Sequence, residues 1–248
     1  MCWGIMVKVY VSLNGIDDLM GAGPALDAAL AAGADGIHID VIEGRDAAGI
    51  AGPSPFTPDY VAEVVSYAMY TRDSLDFPVE VSLFVDDPLR LAEEYIQAGA
   101  SRISIPYQTF SSDPEGMLKR LPMVRQQKEF AAKSRKIGLS FSASEIKDNF
   151  RIERYSTADY ITVVASGPGY DLTPAVVGID DVVRDVYSQR AKVKAKYGWF
   201  EFGITVQGGI THVNAATIKR AGADILVLGR DFYRSKARPA YIESVRRV

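Results

Sequence analysis

Apolar residues fall into two alternating rhythms along this chain. Short runs rich in valine and isoleucine are each followed by a longer stretch whose apolar positions recur every three to four residues. The first rhythm fits strands buried on both faces, and the second fits amphipathic helices laid over them. The pattern predicts strands over residues 7–12, 36–41, 79–84, 102–105, 137–141, 160–164, 201–206 and 225–228. It predicts helices over 24–32, 58–70, 88–98, 114–133, 145–154, 179–197, from 213 onward, and over 239–247. Three helix starts carry the same punctuation. Thr57-Pro58, Asp87-Pro88 and Asp113-Pro114 each set a capping side chain before a proline at the first helical position, where the missing N–H is harmless.

The tripeptide Ala-Gly-Ala recurs at 32–34, 98–100 and 221–223, each time where a helix ends and a strand begins. A glycine there takes the left-handed conformation that closes a helix, and its small neighbours let the strand start at once. Repeated helix–glycine–strand junctions imply parallel strands with right-handed crossovers. A doubly wound sheet is the competing arrangement. Eight units without a dinucleotide-binding glycine fingerprint favour a single-domain closed α/β barrel, the (β/α)8 or TIM barrel.

Composition narrows the class. Of 248 residues, 48% are hydrophobic and 24% charged, which supplies a sizeable core and argues against disorder. A net charge of −3 gives no support to a nucleic-acid or anionic-membrane partner. The single cysteine, Cys2, excludes an internal disulfide, and two histidines, His38 and His212, cannot fill a histidine-rich metal site. No run reaches the roughly 20 apolar residues that span a bilayer. Residues 1–6 lack the basic and apolar regions of a signal peptide. The expectation is a soluble cytoplasmic protein.

Chemistry in such barrels sits at the C-terminal ends of the strands. Strand side chains alternate, so one parity in each strand faces the barrel interior. In the second strand Ile37, Ile39 and Val41 suit the helix-facing side, which turns His38 and Asp40 inward. Polar side chains seldom occupy such positions without a partner or a task. The pair reads as a catalytic acid/base, Asp40, with His38 beside it to orient or polarise a ligand. A buried network that only holds the barrel mouth is the plainer alternative. The same parity turns Lys8, Tyr10 and Ser12 inward in the first strand, and Glu80, Ser82 and Phe84 in the third. Lys8 and Glu80 are expected to form a buried ion pair low in the barrel. Ser12, Ser82 and Phe84 lie higher, at the level of a bound ligand. In the seventh strand Thr205 and Gln207 face inward.

Loops after the seventh and eighth strands commonly hold phosphate in these barrels. Gly208 and Gly209 follow the seventh strand here, and Gly229 and Arg230 follow the eighth. Exposed backbone N–H groups and a guanidinium thus converge on one candidate phosphate site. Ordinary glycine turns are the alternative. Thr211 is placed to cap the next helix. After the sixth strand, Ser166-Gly167-Pro168-Gly169-Tyr170 forms a loop able to close over a ligand, which makes Gly167 and Gly169 candidate substrate contacts.

These segments together resemble a family. His38-Ile39-Asp40-Val41-Ile42-Glu43-Gly44 is similar to the H-x-D-V-M-D-G segment of the ribulose-phosphate 3-epimerases. Residues 49–53 continue the match. Residues 79–85 resemble the family's D-V-H-L-M-V strand, and Gly167-Pro168-Gly169-Tyr170 resembles its P-G-F-G loop. Residues 206–210 resemble V-D-G-G-I, and 221–229 resemble A-G-A-D-x-x-V-x-G. The similarity runs in order along nearly the whole chain. It implies a barrel that binds a ketose phosphate and exchanges protons on opposite faces of the carbon beside the carbonyl. Two aspartates would move the protons, and a divalent metal would sit on them and on two histidines. His38 and Asp40 match one metal-binding pair. Ser82 stands at the second histidine position and Gln207 at the second aspartate position, Phe84 replaces a methionine, and Glu43 stands for the acidic residue of D-G. With those neutral groups a divalent ion (Zn, Mn, Fe or Mg) would be held weakly on His38 and Asp40. Gln207 cannot carry the second proton, and Glu43 and Glu145 are reserve candidates for that base.

Two functions of different class follow. One is an epimerase- or isomerase-like enzyme acting on a pentulose phosphate, with Asp40, His38 and Gln207 at the reacting centre and Ser12 and Ser82 on its hydroxyls. A metal-independent lyase or aldol reaction on a related phosphosugar is a variant of it. The other is a phosphosugar-binding protein that has lost catalysis. The resemblance also implies a homo-oligomer, with a dimer as the expected form.

Overall fold

The computed structural model describes residues 6–15, 22–42, 56–107, 114–126, 135–166, 175, 177–198 and 202–247. Eight strands pair in parallel: β1 (Lys8–Ser12), β2 (Gly36–Ile42), β3 (Val79–Phe84), β4 (Arg102–Pro106), β5 (Lys136–Ser142), β6 (Tyr160–Val164), β7 (Gly203–Gln207) and β8 (Ile225–Leu228). β8 closes against β1, so the sheet is a barrel without edges. The described helices are α1 (Ala22–Ala31), α2 (Pro58–Arg72), α3 (Pro88–Gln97), α4 (Pro114–Arg125), α5 (Ala143–Asn149), α6 (Ile179–Tyr197), α7 (Ala215–Arg220), α8 (Arg230–Arg234) and α9 (Arg238–Arg247). The chain is a (β/α)8 barrel, as the alternating rhythm predicts.

The local signals explain most element starts. Thr57 accepts a hydrogen bond from the Tyr60 N–H, and Asp87 accepts one from Arg90 N–H, each ahead of its proline. Asp113 and the stretch 127–134 lie outside the described residues. α5 begins at Ala143, earlier than the pattern predicts, because Ser142 and Glu145 form a capping box there. The predicted continuation to 154 is instead a short 3-10 turn, Ile152–Tyr155. α8 was not foreseen from periodicity; at five residues it is too short to show one.

The three Ala-Gly-Ala junctions belong to a fourfold device. Gly33, Gly99 and Gly222 have φ of 82°, 104° and 115°, the left-handed turn that the sequence predicts. Two residues later Asp35, Ser101 and Asp224 each latch an even strand to the odd strand before it. Asp35 Oδ2 accepts the Val9 N–H at 2.8 Å, Ser101 Oγ the Val79 N–H at 3.2 Å, and Asp224 Oδ2 the Ile204 N–H at 2.7 Å. Asp159, which follows a different tripeptide, does the same for Ile137 at 2.8 Å. Each of the four also donates its own N–H to the carbonyl of the residue it caps.

The two faces of the sheet differ in chemistry. Helix-facing residues such as Val9, Ile39, Val81, Leu139, Val163 and Leu226 join the helices in one apolar core. The inward face is polar: His38, Asp40, Glu80, Ser82, Arg102, Ser104, Ser140, Thr162, Thr205 and Gln207 are all buried. Tyr10, Ile225 and Val227 form a small apolar cluster apart from the main core. Strands tilt in a barrel, so residues at one height come from alternate strands. Carrying the register around the sheet puts Ser12, Ser82, Ser140 and Gln207 at one height, one from each odd-numbered strand. By the same count Asp40 lies above that height, nearer the mouth, and His38 below it. Among the described residues, no helix is long and apolar enough to cross a membrane.

Candidate active site

Asp40 sits near the C-terminal end of β2 and is 8% exposed. His38 and Asn14 both support it. His38 Nε2 lies 3.0 Å from its Oδ1. Asn14, just past β1, clamps its backbone in both directions: Asn14 Nδ2 donates to the Asp40 carbonyl at 2.8 Å, and the Asp40 N–H donates to Asn14 Oδ1 at 2.7 Å. Ser12 is tied in beside them. Its Oγ accepts the Asn14 N–H, and its carbonyl accepts the Tyr233 hydroxyl.

Below Asp40 a charged network crosses the barrel. His38 Nδ1 lies 3.1 Å from Glu80 Oε1. Arg102 Nε donates to Glu80 Oε2 at 2.6 Å, and its Nη2 donates to Thr205 Oγ1 at 3.1 Å. The guanidinium also lies 3.7 Å from the centre of the Tyr160 ring. The expected Lys8–Glu80 pair is therefore wrong. Lys8 is exposed at the start of β1, whereas Arg102 is the registered neighbour of Glu80 on the adjacent strand. Arg102 and Asn14 are the supports that the sequence reading missed. Arg102 carried a signal, since Ser104 shares its inward parity; Asn14 carried none.

The network sets the charge state of its members. Burial opposes a charge on His38, but the Asp40 charge and hydrogen bonds to Asp40 and Glu80 outweigh it and raise its pKa to about 10. Burial likewise opposes the Glu80 carboxylate, but the Arg102 charge and the His38 hydrogen bond hold it down at about 2. Near neutral pH His38 is an imidazolium that donates to a carboxylate from each ring nitrogen, and the four side chains balance to zero net charge.

This donor set does not fit the divalent metal that the resemblance implies. His38 meets Asp40 with one ring nitrogen and Glu80 with the other, and His38 and Asp40 together supply two of the four donors such an ion takes. Ser82 and Gln207 supply neutral oxygens where metal sites of this kind use imidazole and carboxylate. Among the described residues, no three His, Cys, Asp or Glu side chains are grouped to hold an ion.

Gln207 and Ser82 are buried on the inward face, as predicted, and so is Phe84, beside Ile42 in register. Past β7, Gly208 and Gly209 have φ of 92° and 62°. A Cβ on Gly208 would lie 2.6 Å from Ser166 Oγ and 2.7 Å from Ser166 N, so only glycine fits against the end of β6. Asn214 closes this loop: its Nδ2 donates to the Gly209 carbonyl, and its Oδ1 accepts the Thr211 N–H. Thr211 Oγ1 accepts the Val213 N–H, capping that turn and not α7. Gly229 and Arg230 open α8 after β8. Glu145 is engaged in the α5 capping box, accepting the Ser142 N–H, which argues against its service as a base. Gly167, Gly169 and Glu43 lie outside the described residues.

Fold and site define a class: a closed α/β barrel with a polar interior, a supported carboxylate at its mouth and glycine-rich loops beside it. The sequence profile of the ribulose-phosphate 3 epimerase family matches residues 9–233, and the chain belongs to that family. A ribulose-phosphate 3-epimerase of Aquifex aeolicus is 25% identical over 219 residues, 86% of this chain and 84% of that one. The Bacillus subtilis ribulose-phosphate 3-epimerase is 23% identical over 242 residues, 97% of this chain and 99% of that one. Among solved structures, 3-hexulose-6-phosphate synthase from Salmonella typhimurium superposes with a TM-score of 0.59 at 13% identity, covering 96% of each chain. At that identity the likeness concerns the fold alone.

Proposed function

We propose that the protein acts on a phosphorylated ketose and removes a proton from the carbon beside its carbonyl, with Asp40 as the base. The placement of that carboxylate carries the reading. It faces the barrel mouth, one oxygen is fixed by His38, and its backbone is clamped by Asn14. A positioned carboxylate within reach of the reacting carbon is what general-base abstraction requires. His38 and Glu80 are positioning residues, and Ser12, Ser82 and Phe84 line the ligand. Gly208, Gly209, Gly229 and Arg230 are the proposed phosphate contacts. The named activity of the relatives makes a pentulose phosphate the first substrate to try.

Gln207 supports a second version of the same chemistry. An amide cannot move a proton near neutral pH, so a base that works alone returns the proton on the face from which it came. That outcome is isomerisation between neighbouring carbons, or exchange with retention, without inversion.

The test is C–H exchange in deuterated water with ribulose 5-phosphate, followed by NMR. Deuterium entering C3 with inversion supports epimerisation, and entry without inversion supports the one-base version. Asp40→Asn is expected to slow exchange by about 10²–10⁴-fold while ligand binding persists. Tight binding with no exchange in the unaltered protein leaves a binding protein instead.

A further inference from the structure

Three polar atoms below Asp40 have no hydrogen-bond partner among the described residues: Ser82 Oγ, Ser140 Oγ and Gln207 Oε1. Their residues are 0%, 2% and 4% exposed. Unpartnered buried polar atoms are uncommon, because each has lost its water without replacement. These three share one height of the barrel and come from β3, β5 and β7. The fold does not need them polar, since apolar side chains of similar size would fill the same space at less cost. Two hydroxyls and an amide oxygen are neutral donors, poorly suited to a divalent cation.

We propose that Ser82, Ser140 and Gln207 bind contiguous oxygens of the ligand directly, with no divalent cation between ligand and protein. The proposal rests on the ketose-phosphate reading above and states how that substrate is held. A ketose chain presents a carbonyl, which accepts, flanked by hydroxyls, which donate and accept. Ser82 and Ser140 can donate to the carbonyl or accept from a hydroxyl. Gln207 Oε1 only accepts, so it selects a ligand with an O–H aimed at β7. Ser140 thereby enters the site as a specificity-determining residue on β5.

Calorimetric titration of the full chain tests this, first with ribulose 5-phosphate in the presence of EDTA, then with inorganic phosphate, then with Mn²⁺ alone. The unaltered protein is expected to bind the ketose phosphate in EDTA. Ser140→Ala and Ser82→Ala are each expected to weaken that binding about tenfold and to leave inorganic phosphate binding unchanged. Removing an orphaned hydroxyl should also raise the melting temperature of the ligand-free protein by roughly 2–4 °C. A lowered melting temperature with loss of both ligands would assign these serines to the fold and overturn the proposal. So would ketose-phosphate affinity that neither variant changes, which would leave the parent reading standing. Stoichiometric Mn²⁺ binding abolished by Asp40→Asn would also overturn it. If the unaltered protein binds no ketose phosphate with or without Mn²⁺, the parent reading fails and this inference fails with it.

Discussion

Glu80 is fully buried, and two cations share its carboxylate: the Arg102 guanidinium on one oxygen and the His38 imidazolium on the other. Removing one partner of a buried ion pair leaves a charge with neither water nor counter-ion. Arg102→Leu is therefore expected to destabilise the fold by about 3–5 kcal/mol, read as a lowered urea midpoint. A loss below about 1 kcal/mol would mean that His38 alone satisfies Glu80. The same residues predict a pH profile. His38 holds its proton more tightly when folded, at about 10 against 6.5 for the free side chain. Its contribution is complete below pH 6.5 and is lost as the pH rises through 10. Glu80 is shifted the other way, to about 2 from 4.5. Its contribution is complete above pH 4.5 and is lost as the pH falls through 2. Both are whole only between those inner limits, 4.5 and 6.5, where stability should peak. A urea midpoint that stays level from pH 6.5 to 10 would show that His38 is not held protonated.

Among the elements, the latches at the strand starts carry the most exposed prediction. Asp159 accepts a backbone N–H at the start of β5, and Asp224 accepts one at β7 and also pairs with Arg190. Asp159→Ala is expected to cost about 1–3 kcal/mol, the penalty of a buried donor left without a partner. Asp224→Ala should add to that penalty the loss of the Arg190 counter-ion, a share that Arg190→Ala in the same background measures. Additive costs of Asp224→Ala and Arg190→Ala would show that the ion pair adds nothing. A tighter constraint sits at Gly138, where an added Cβ would lie 2.3 Å from the Tyr160 ring. The Ala-Gly-Ala junctions are legible in the sequence because a left-handed helix end is a local requirement that glycine meets best. The aspartate latch is not, although Asp35 and Asp224 follow two of those tripeptides. Its acceptor role depends on a neighbouring strand from another part of the chain. The Lys8–Glu80 expectation failed for the same reason. Parity says which residues face inward, but the register between strands decides which of them meet.

At the scale of the whole molecule the barrel divides its labour by face. The apolar outer surface of the sheet holds the helices, and that face is what hydrophobic periodicity reports, so the fold is legible from sequence. The inner face holds charged and hydroxyl side chains whose pairing depends on barrel tilt, so the site is legible only as a set of candidates at strand ends. His38, Asp40, Ser82 and Gln207 could be named in advance, whereas Asn14, Arg102 and Ser140 needed the closed sheet. A barrel lined this way carries unsatisfied groups that a ligand can satisfy, so binding should stabilise the whole cooperative unit. Ligand at one hundred times its dissociation constant adds about 2.7 kcal/mol. For a chain of this size that corresponds to a rise in melting temperature of roughly 5–10 °C. Ribulose 5-phosphate is expected to produce this shift, and inorganic phosphate a smaller one at the same concentration, because it reaches the loops without filling the interior. Asp40→Asn should keep the shift, since binding and proton abstraction rest on different atoms. Equal shifts from both ligands would place all the binding energy at Gly208, Gly209, Gly229 and Arg230 and leave the polar interior without a role in recognition.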